Sequence, residues 1–228
     1  MLNTESPRDL VPKFFDKTAR TYDKIVNLTT FGRDKYWKKE ILKKIQNCNS
    51  VLDLACGTGI LTFQIAKQLP NAKITGIDVT ESYLDIARTK LKPHHNVSFL
   101  HQDAEKLDLN TKFDYITSSY IPKYCKSETL IKVCTEHLNP GGKIILHDFT
   151  YPKNKLIRTL WEFYFIILNL MGFFIPNWKK VFSDLPNLIR TTRWLDEYEN
   201  AMRAHNLSTV RQSLTWESSA ILTGTKMV

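Results

Sequence analysis

Apolar residues change their spacing several times along the chain. Through residues 1–49 they recur at helical intervals (Trp37, Ile41, Leu42, Ile45), with lysines on the other face. From Val51 the pattern turns to short apolar runs of the kind that form buried strands: Val51–Ala55, a run ending at Asp78, Val97–His101, Phe113–Ser118 and Lys143–Asp148. Helical stretches lie between them, among them Glu81–Leu91, closed by Pro93, and Leu130–Leu138, closed by a turn at Asn139-Pro140-Gly141-Gly142. This alternation predicts an α/β fold with a parallel sheet covered on both faces. After Asp148 the rhythm breaks. Aromatic-rich, mostly helical sequence then leads to two strands near Thr209–Trp216 and Ser219–Lys226, close enough to pair as a hairpin that closes a seven-stranded sheet. The expected organisation is one domain over 1–228, with a helical cap at 1–49 and a helical insertion at 151–205.

The first strand runs into a turn of small residues, Ala55-Cys56-Gly57-Thr58-Gly59, and the second strand ends in an acid, Asp78. Val51–Asp78 therefore reads as the first βαβ unit of a nucleotide-binding sheet. Glycines let backbone amides approach a ligand, and a strand-terminal carboxylate accepts hydrogen bonds from ribose hydroxyls. A dinucleotide fingerprint needs glycine at the first, third and sixth positions of the turn. Counted from Gly57 the sixth is Thr62, and counted from Ala55 only the third is glycine. No P-loop is present. A nucleoside fits this turn better than a pyrophosphate, the plain alternative being a βαβ turn with no ligand.

The pattern Asp-x-Ala-x-Gly-x-Gly, beginning at Asp53, resembles motif I of class I S-adenosylmethionine-dependent methyltransferases. Further stretches extend the likeness to the whole chain, which resembles the UbiE/COQ5 family of ubiquinone and menaquinone biosynthesis C-methyltransferases. They are FFDKTARTYDKIVNLTTFGRDKYWKKE, with Tyr22, Asp23, Phe31, Gly32 and Trp37, then LNPGGKIILHDFTYP (Leu138–Pro152), and SLTWESSAILTGTK at the end. The amino-terminal block is the most specific of these. The resemblance implies a Rossmann-like class I methyltransferase fold, S-adenosyl-L-methionine as cofactor, and C-methylation of an isoprenoid quinol precursor. It also implies cofactor contacts at Tyr22, at Asp53, Ala55, Gly57, Thr58 and Gly59 of motif I, at Asp78 and Val79, at Asp103 with Ala104, and at Ser119. Their chemistry agrees: Asp78 suits a ribose diol, and Asp103 can accept from an adenine amino group.

Two stretches depart from the family pattern. After Ser119 the family carries Phe-Gly-Leu-Arg-Asn, whereas this chain has Tyr120-Ile121-Pro122-Lys123-Tyr124; the terminal Gly-Gly has become Trp216-Glu217. Lys123 keeps the charge of the arginine without its planar fork. Both changes fall where the acceptor and the catalytic groups are expected, and the cofactor motifs are intact. A quinol ring carbon becomes nucleophilic when a base draws off a phenolic proton. The candidates are Asp148, at the carboxyl end of the fifth strand, and Lys123 with Tyr124 after the fourth, since ligands sit at such strand ends. His147 points to the opposite face and reads as a core or surface histidine. Other readings are an N- or O-methyltransferase of another small or lipidic acceptor, and a subunit that binds S-adenosylmethionine without turning it over.

Composition adds three constraints. With 43% apolar and 24% charged residues, the chain is that of a globular protein able to build a core without staples. The four cysteines (Cys48, Cys56, Cys125, Cys134) share no metal-ligand spacing, and MLNTESPRDLVPKFF contains no signal-type apolar core, so the expectation is reduced thiols, no metal and a cytoplasmic location. The net charge of +9 is spread out, without long basic runs or interleaved aromatics, and the fourth strand ends Thr117-Ser118-Ser119-Tyr120 rather than Asn/Asp-Pro-Pro-Tyr. Both points argue against nucleic acid; solvated faces explain most of the excess, and attraction to an anionic membrane surface is the alternative. The run WEFYFIILNLMGFFIP (Trp161–Pro176) is too short to span a bilayer and holds Asn169 and Gly172. It reads as a buried helix, as a lid (Leu156–Trp178) over a greasy substrate, or as a face for peripheral membrane contact. A homodimer is left open.

Overall fold

The computed structural model describes residues 7–92 and 94–227, so the expected helix stop at Pro93 falls outside it. In chain order the elements are α1 (Leu10–Phe15), α2 (Tyr22–Thr29), α3 (Arg33–Leu42), β1 (Ser50–Leu54), α4 (Ile60–Gln68), β2 (Lys73–Asp78), α5 (Glu81–Thr89), β3 (Val97–His101), β4 (Phe113–Ser119), α6 (Ser127–Glu136), β5 (Leu138–Phe149), α7 (Lys155–Met171), α8 (Pro176–Thr191), α9 (Trp194–Ala204), β6 (Leu207–Leu214) and β7 (Ser219–Lys226). The described strands form one seven-stranded sheet in the order β3-β2-β1-β4-β5-β7-β6. β1 through β5 are parallel, and β7 runs antiparallel between β5 and β6. The strand order reverses between β1 and β4, and a crevice opens there beyond the carboxyl ends of the strands.

Alternation along the strands divides two cores between the faces of the sheet. Leu52, Leu54, Ile116, Ile144 and Leu146 pack with α6 and α9, whereas Val51, Ile74, Tyr115, Ile145 and Ile221 pack with α3 and α4. A third, aromatic core joins the amino-terminal helices to α7 and α8 through Phe14, Ile25, Trp161, Phe165, Trp178 and Phe182. Helix α7 has two apolar stripes. Trp161, Phe165 and Leu168 are buried, while Leu156, Leu160, Phe163, Ile166, Ile167 and Leu170 face outward. Among the described residues no helix is long and apolar enough to cross a membrane.

One expected turn is a strand irregularity instead. Asn139–Gly142 lies inside β5: Phe113 pairs with Leu138 and Tyr115 with Lys143, five steps on β5 against two on β4. Gly141 has φ 72°, and a Cβ on Gly142 would meet the carbonyl oxygens of Asn139 and Asp114 at 2.9 Å. The residues that signal a turn are also those that permit a bulge.

Candidate functional site

The turn after β1 is shaped by left-handed residues, Ala55 (φ 50°), Gly57 (φ 57°) and Gly59 (φ 81°). Asp78 holds it, accepting from the Gly57 N–H and the Thr80 N–H, each at 2.8 Å. Asp53 sits beneath the turn, fully buried, and accepts from Thr62 Oγ1 at 2.6 Å and Thr117 Oγ1 at 3.1 Å. Burial pushes its carboxyl up to about 6. Thr58 donates to Asp23 at 2.5 Å, and Lys90 bonds both Asp23 and the Thr58 carbonyl, which ties the turn to α2. Gly59 caps α4. Of the sequence-predicted residues, Asp53, Thr58 and Gly59 thus build the turn rather than wall the main cavity.

The others meet. Tyr22, Ala55, Gly57 and Asp78 wall a cavity of about 290 Å³, together with Val79, Asp103, Ala104 and Ser119. The sequence reading missed Arg8, Phe15, Thr80, Tyr83 and Gln102, which line it too. Helix α1 and the short helical turn Pro7–Asp9 form its roof, with Arg8 bonded to Asp103 and to Glu105. Asp103 also caps the turn Ala104–Lys106, accepting from the Glu105 N–H at 3.0 Å. A small annex of about 30 Å³ extends past Gly57 and Thr58 to Lys38, whose ammonium is buried against Asp34.

This donor set fits S-adenosylmethionine. Gln102 Oε1 is buried without a hydrogen-bond partner, an acceptor suited to a nucleoside N–H or O–H. Asp78 retains lone pairs for a diol after its two backbone bonds. Arg8, the cation among the described lining residues, is held by two carboxylates, so the cavity offers little to a phosphate. Acids and aromatic faces (Phe15, Tyr22, Tyr83, Tyr124) suit a positively charged sulfonium.

A second cavity, about 460 Å³ and almost wholly apolar, lies between α2, α7, α8 and the β6–β7 turn. Phe15, Tyr22, Tyr120 and Tyr124 wall both cavities. Tyr120 adopts φ 83° and its hydroxyl donates to Asp34 at 2.7 Å. Lys123 is the buried cation of this chamber. Its ammonium donates to Asp148 Oδ1 at 2.7 Å and to the Tyr120 carbonyl at 2.8 Å, and lies 4.6 Å from the Tyr124 ring centroid. Burial lowers the Lys123 pKa and raises that of Asp148. Asp148 is fully buried and also accepts the backbone N–H groups of Lys123 and Phe149. The sequence places Asp148 at the right strand end, but the structure sets it behind Lys123 rather than on a cavity wall. Tyr124 faces both cavities, and burial holds its hydroxyl well above the usual range. His147 lies on the other face, between Ser119 at 3.0 Å and Ser219 at 2.6 Å.

Comparison with known proteins agrees with this geometry. The profile of the "ubiE/COQ5 methyltransferase family" matches residues 1–226. A demethylmenaquinone methyltransferase of Staphylococcus aureus (strain JH9) is 27% identical over 191 residues, covering 80% of this chain and 76% of that protein. Among solved structures, the N-methyltransferase NodS from Bradyrhizobium japonicum WM9, in complex with S-adenosyl-L-homocysteine, has the same fold, with TM-score 0.60, 14% identity, and 97% and 99% of the two chains covered. Streptomyces venezuelae DesVI is similar at TM-score 0.61 and 16% identity, covering 90% of this chain and 98% of its own.

Proposed function

The chain belongs to the ubiE/COQ5 methyltransferase family, and on that footing we propose that it methylates a ring carbon of an isoprenoid quinol precursor, of the demethylmenaquinone or ubiquinone type. It is an enzyme that uses S-adenosyl-L-methionine as methyl donor. One observation carries the choice of acceptor. The nucleoside-shaped cavity shares its aromatic wall with a larger apolar chamber, whose buried charge among the described lining residues is Lys123, paired with Asp148 behind it.

When bound, S-adenosylmethionine supplies an electrophilic methyl group on a sulfonium. Asp78 holds the ribose, Asp103 with Ala104 and Gln102 the base, and the Gly57 turn with the Lys38 annex the methionine end. Tyr22, Tyr120 and Tyr124 stand at the junction and align acceptor with donor, which is most of what an in-line transfer needs. The apolar chamber takes the isoprenoid tail and excludes water. Lys123 faces the ring. The burial that lowers its pKa and raises that of Asp148 brings the two acidities together, so the pair takes up a phenolic proton as the ring becomes nucleophilic. Tyr124 is a neutral hydroxyl that orients the quinol. The outward stripe of α7 supports peripheral contact with a lipid surface. The helical cap (1–49) and insertion (151–205) are parts of one methyltransferase unit.

The test is transfer of labelled methyl from S-adenosylmethionine by the pure protein to quinols of increasing tail length. Label in the ring of the organic-soluble product supports the proposal. Label only on soluble amines or phenols rejects it.

A further inference from the structure

The mouth of the apolar chamber is bordered by three elements that expose large apolar side chains: the turn at Phe31, helix α7 at Leu160, and the β6–β7 turn at Trp216. Phe31 and Trp216 are 82% and 71% exposed, and both adopt left-handed backbone conformations, φ 50° and 53°. Bulky residues rarely take that conformation, and such outliers concentrate where strain serves a purpose. Trp216 is the middle of three consecutive left-handed residues, Thr215, Trp216 and Glu217. The turn is clamped from outside itself, by Trp37 Nε1 donating to Thr215 Oγ1 and by Thr150 Oγ1 donating to the Glu217 carbonyl, each at 2.7 Å. What the strained turn achieves is an indole held outward at the rim.

The rim is continuous with the outer stripe of α7. Phe31 lies 6.0 Å from the Tyr164 ring, and beyond Leu160 the stripe runs through Phe163, Ile167 and Leu170 to Phe173 and Phe174. Exposed basic residues flank it: Arg33 and Lys35 beside Phe31, Lys153 and Lys155 at the entry to α7, and Lys179 in the first turn of α8. The acids on the same elements are engaged. Glu162 pairs with Arg190, Asp184 with Lys180, Asp34 with Lys38, and Glu217 accepts the Lys153 N–H at 3.2 Å. An apolar centre with a positive border complements an anionic lipid surface, and aromatics at a rim are interfacial anchors. A second copy of the chain docked symmetrically would bring this positive border against itself.

We propose that the chamber mouth docks on an anionic bilayer, inserting Phe31, Trp216 and the outer stripe of α7, so that the acceptor enters from lipid without crossing water. The entry route rests on the quinol reading above; the docking does not.

The test is flotation with vesicles of phosphatidylcholine alone and of phosphatidylcholine mixed with phosphatidylglycerol. The protein floats with the mixed vesicles, less at high salt. Phe163 and Ile167 do not line the chamber. The double variant Phe163→Glu, Ile167→Glu loses vesicle affinity on the order of tenfold or more, with unchanged turnover of a short-tailed, water-soluble quinol. Trp216→Gly, which relieves the left-handed strain, weakens flotation without lowering the thermal midpoint. Wild-type protein that methylates the soluble quinol yet floats with neither vesicle overturns the proposal. So does a solution dimer that the double variant dissociates. Flotation without turnover of any quinol supports docking and rejects the acceptor.

Discussion

Lys123 and Asp148 show why a strand-end acid cannot be judged from its position alone. The pair is almost wholly shielded from water, and removing one partner leaves the other charge uncompensated. Lys123→Met is expected to cost about 3–5 kcal/mol in chemical denaturation. Adding Asp148→Leu should recover most of that stability and none of the methyl transfer, which separates the pair's structural role from its chemistry. His147 offers a pH test. It is buried and neutral, with its pKa held well below the usual 6.5 by burial first and by Lys38 and Lys123 next. A depressed pKa gives stability that is present above 6.5 and lost as pH falls below it. Asp53, raised to about 6, acts in the opposite sense over the same acid range. The readout is therefore a difference: between pH 7 and 5 the wild type should lose stability more steeply than His147→Gln.

Local signals carried most of the secondary structure. Val97–His101 and Ser219–Lys226 are strands with the boundaries their apolar runs predict, and the glycine turn led directly to Asp78. What distant segments build was not legible. Gln102, Arg8 and Lys38 reach the cofactor cavities from three separate regions, and no spacing within any one of them announces it. The bulge in β5 was hidden because its residues are turn formers. Helix α7 was ambiguous for a physical reason: burial, a lid and a lipid face all require apolar residues at helical spacing, and this helix has two such stripes. Phe165, on the inner stripe, lines the chamber and packs 4.3 Å from the Trp161 ring. Phe165→Ala should destabilise by about 3–5 kcal/mol. It should also raise KM for a long-tailed quinol more than for a short-tailed one, in side-by-side kinetics.

Both cavities open at the carboxyl ends of one sheet, where the strand order reverses, and the amino-terminal helices close over one of them. That roof has a consequence for the tempo of the enzyme. Arg8 bridges from the roof to Asp103 and Glu105, so exchange of donor and spent nucleoside is expected to need this bridge to open. With opening as the slow step, the first turnover should appear as a burst ahead of a slower steady state. Arg8 is half-exposed, so salt screens its pairs. Raising ionic strength should quicken the steady phase and shrink the burst, and in rapid-quench experiments Arg8→Ala should erase it by making release as fast as transfer.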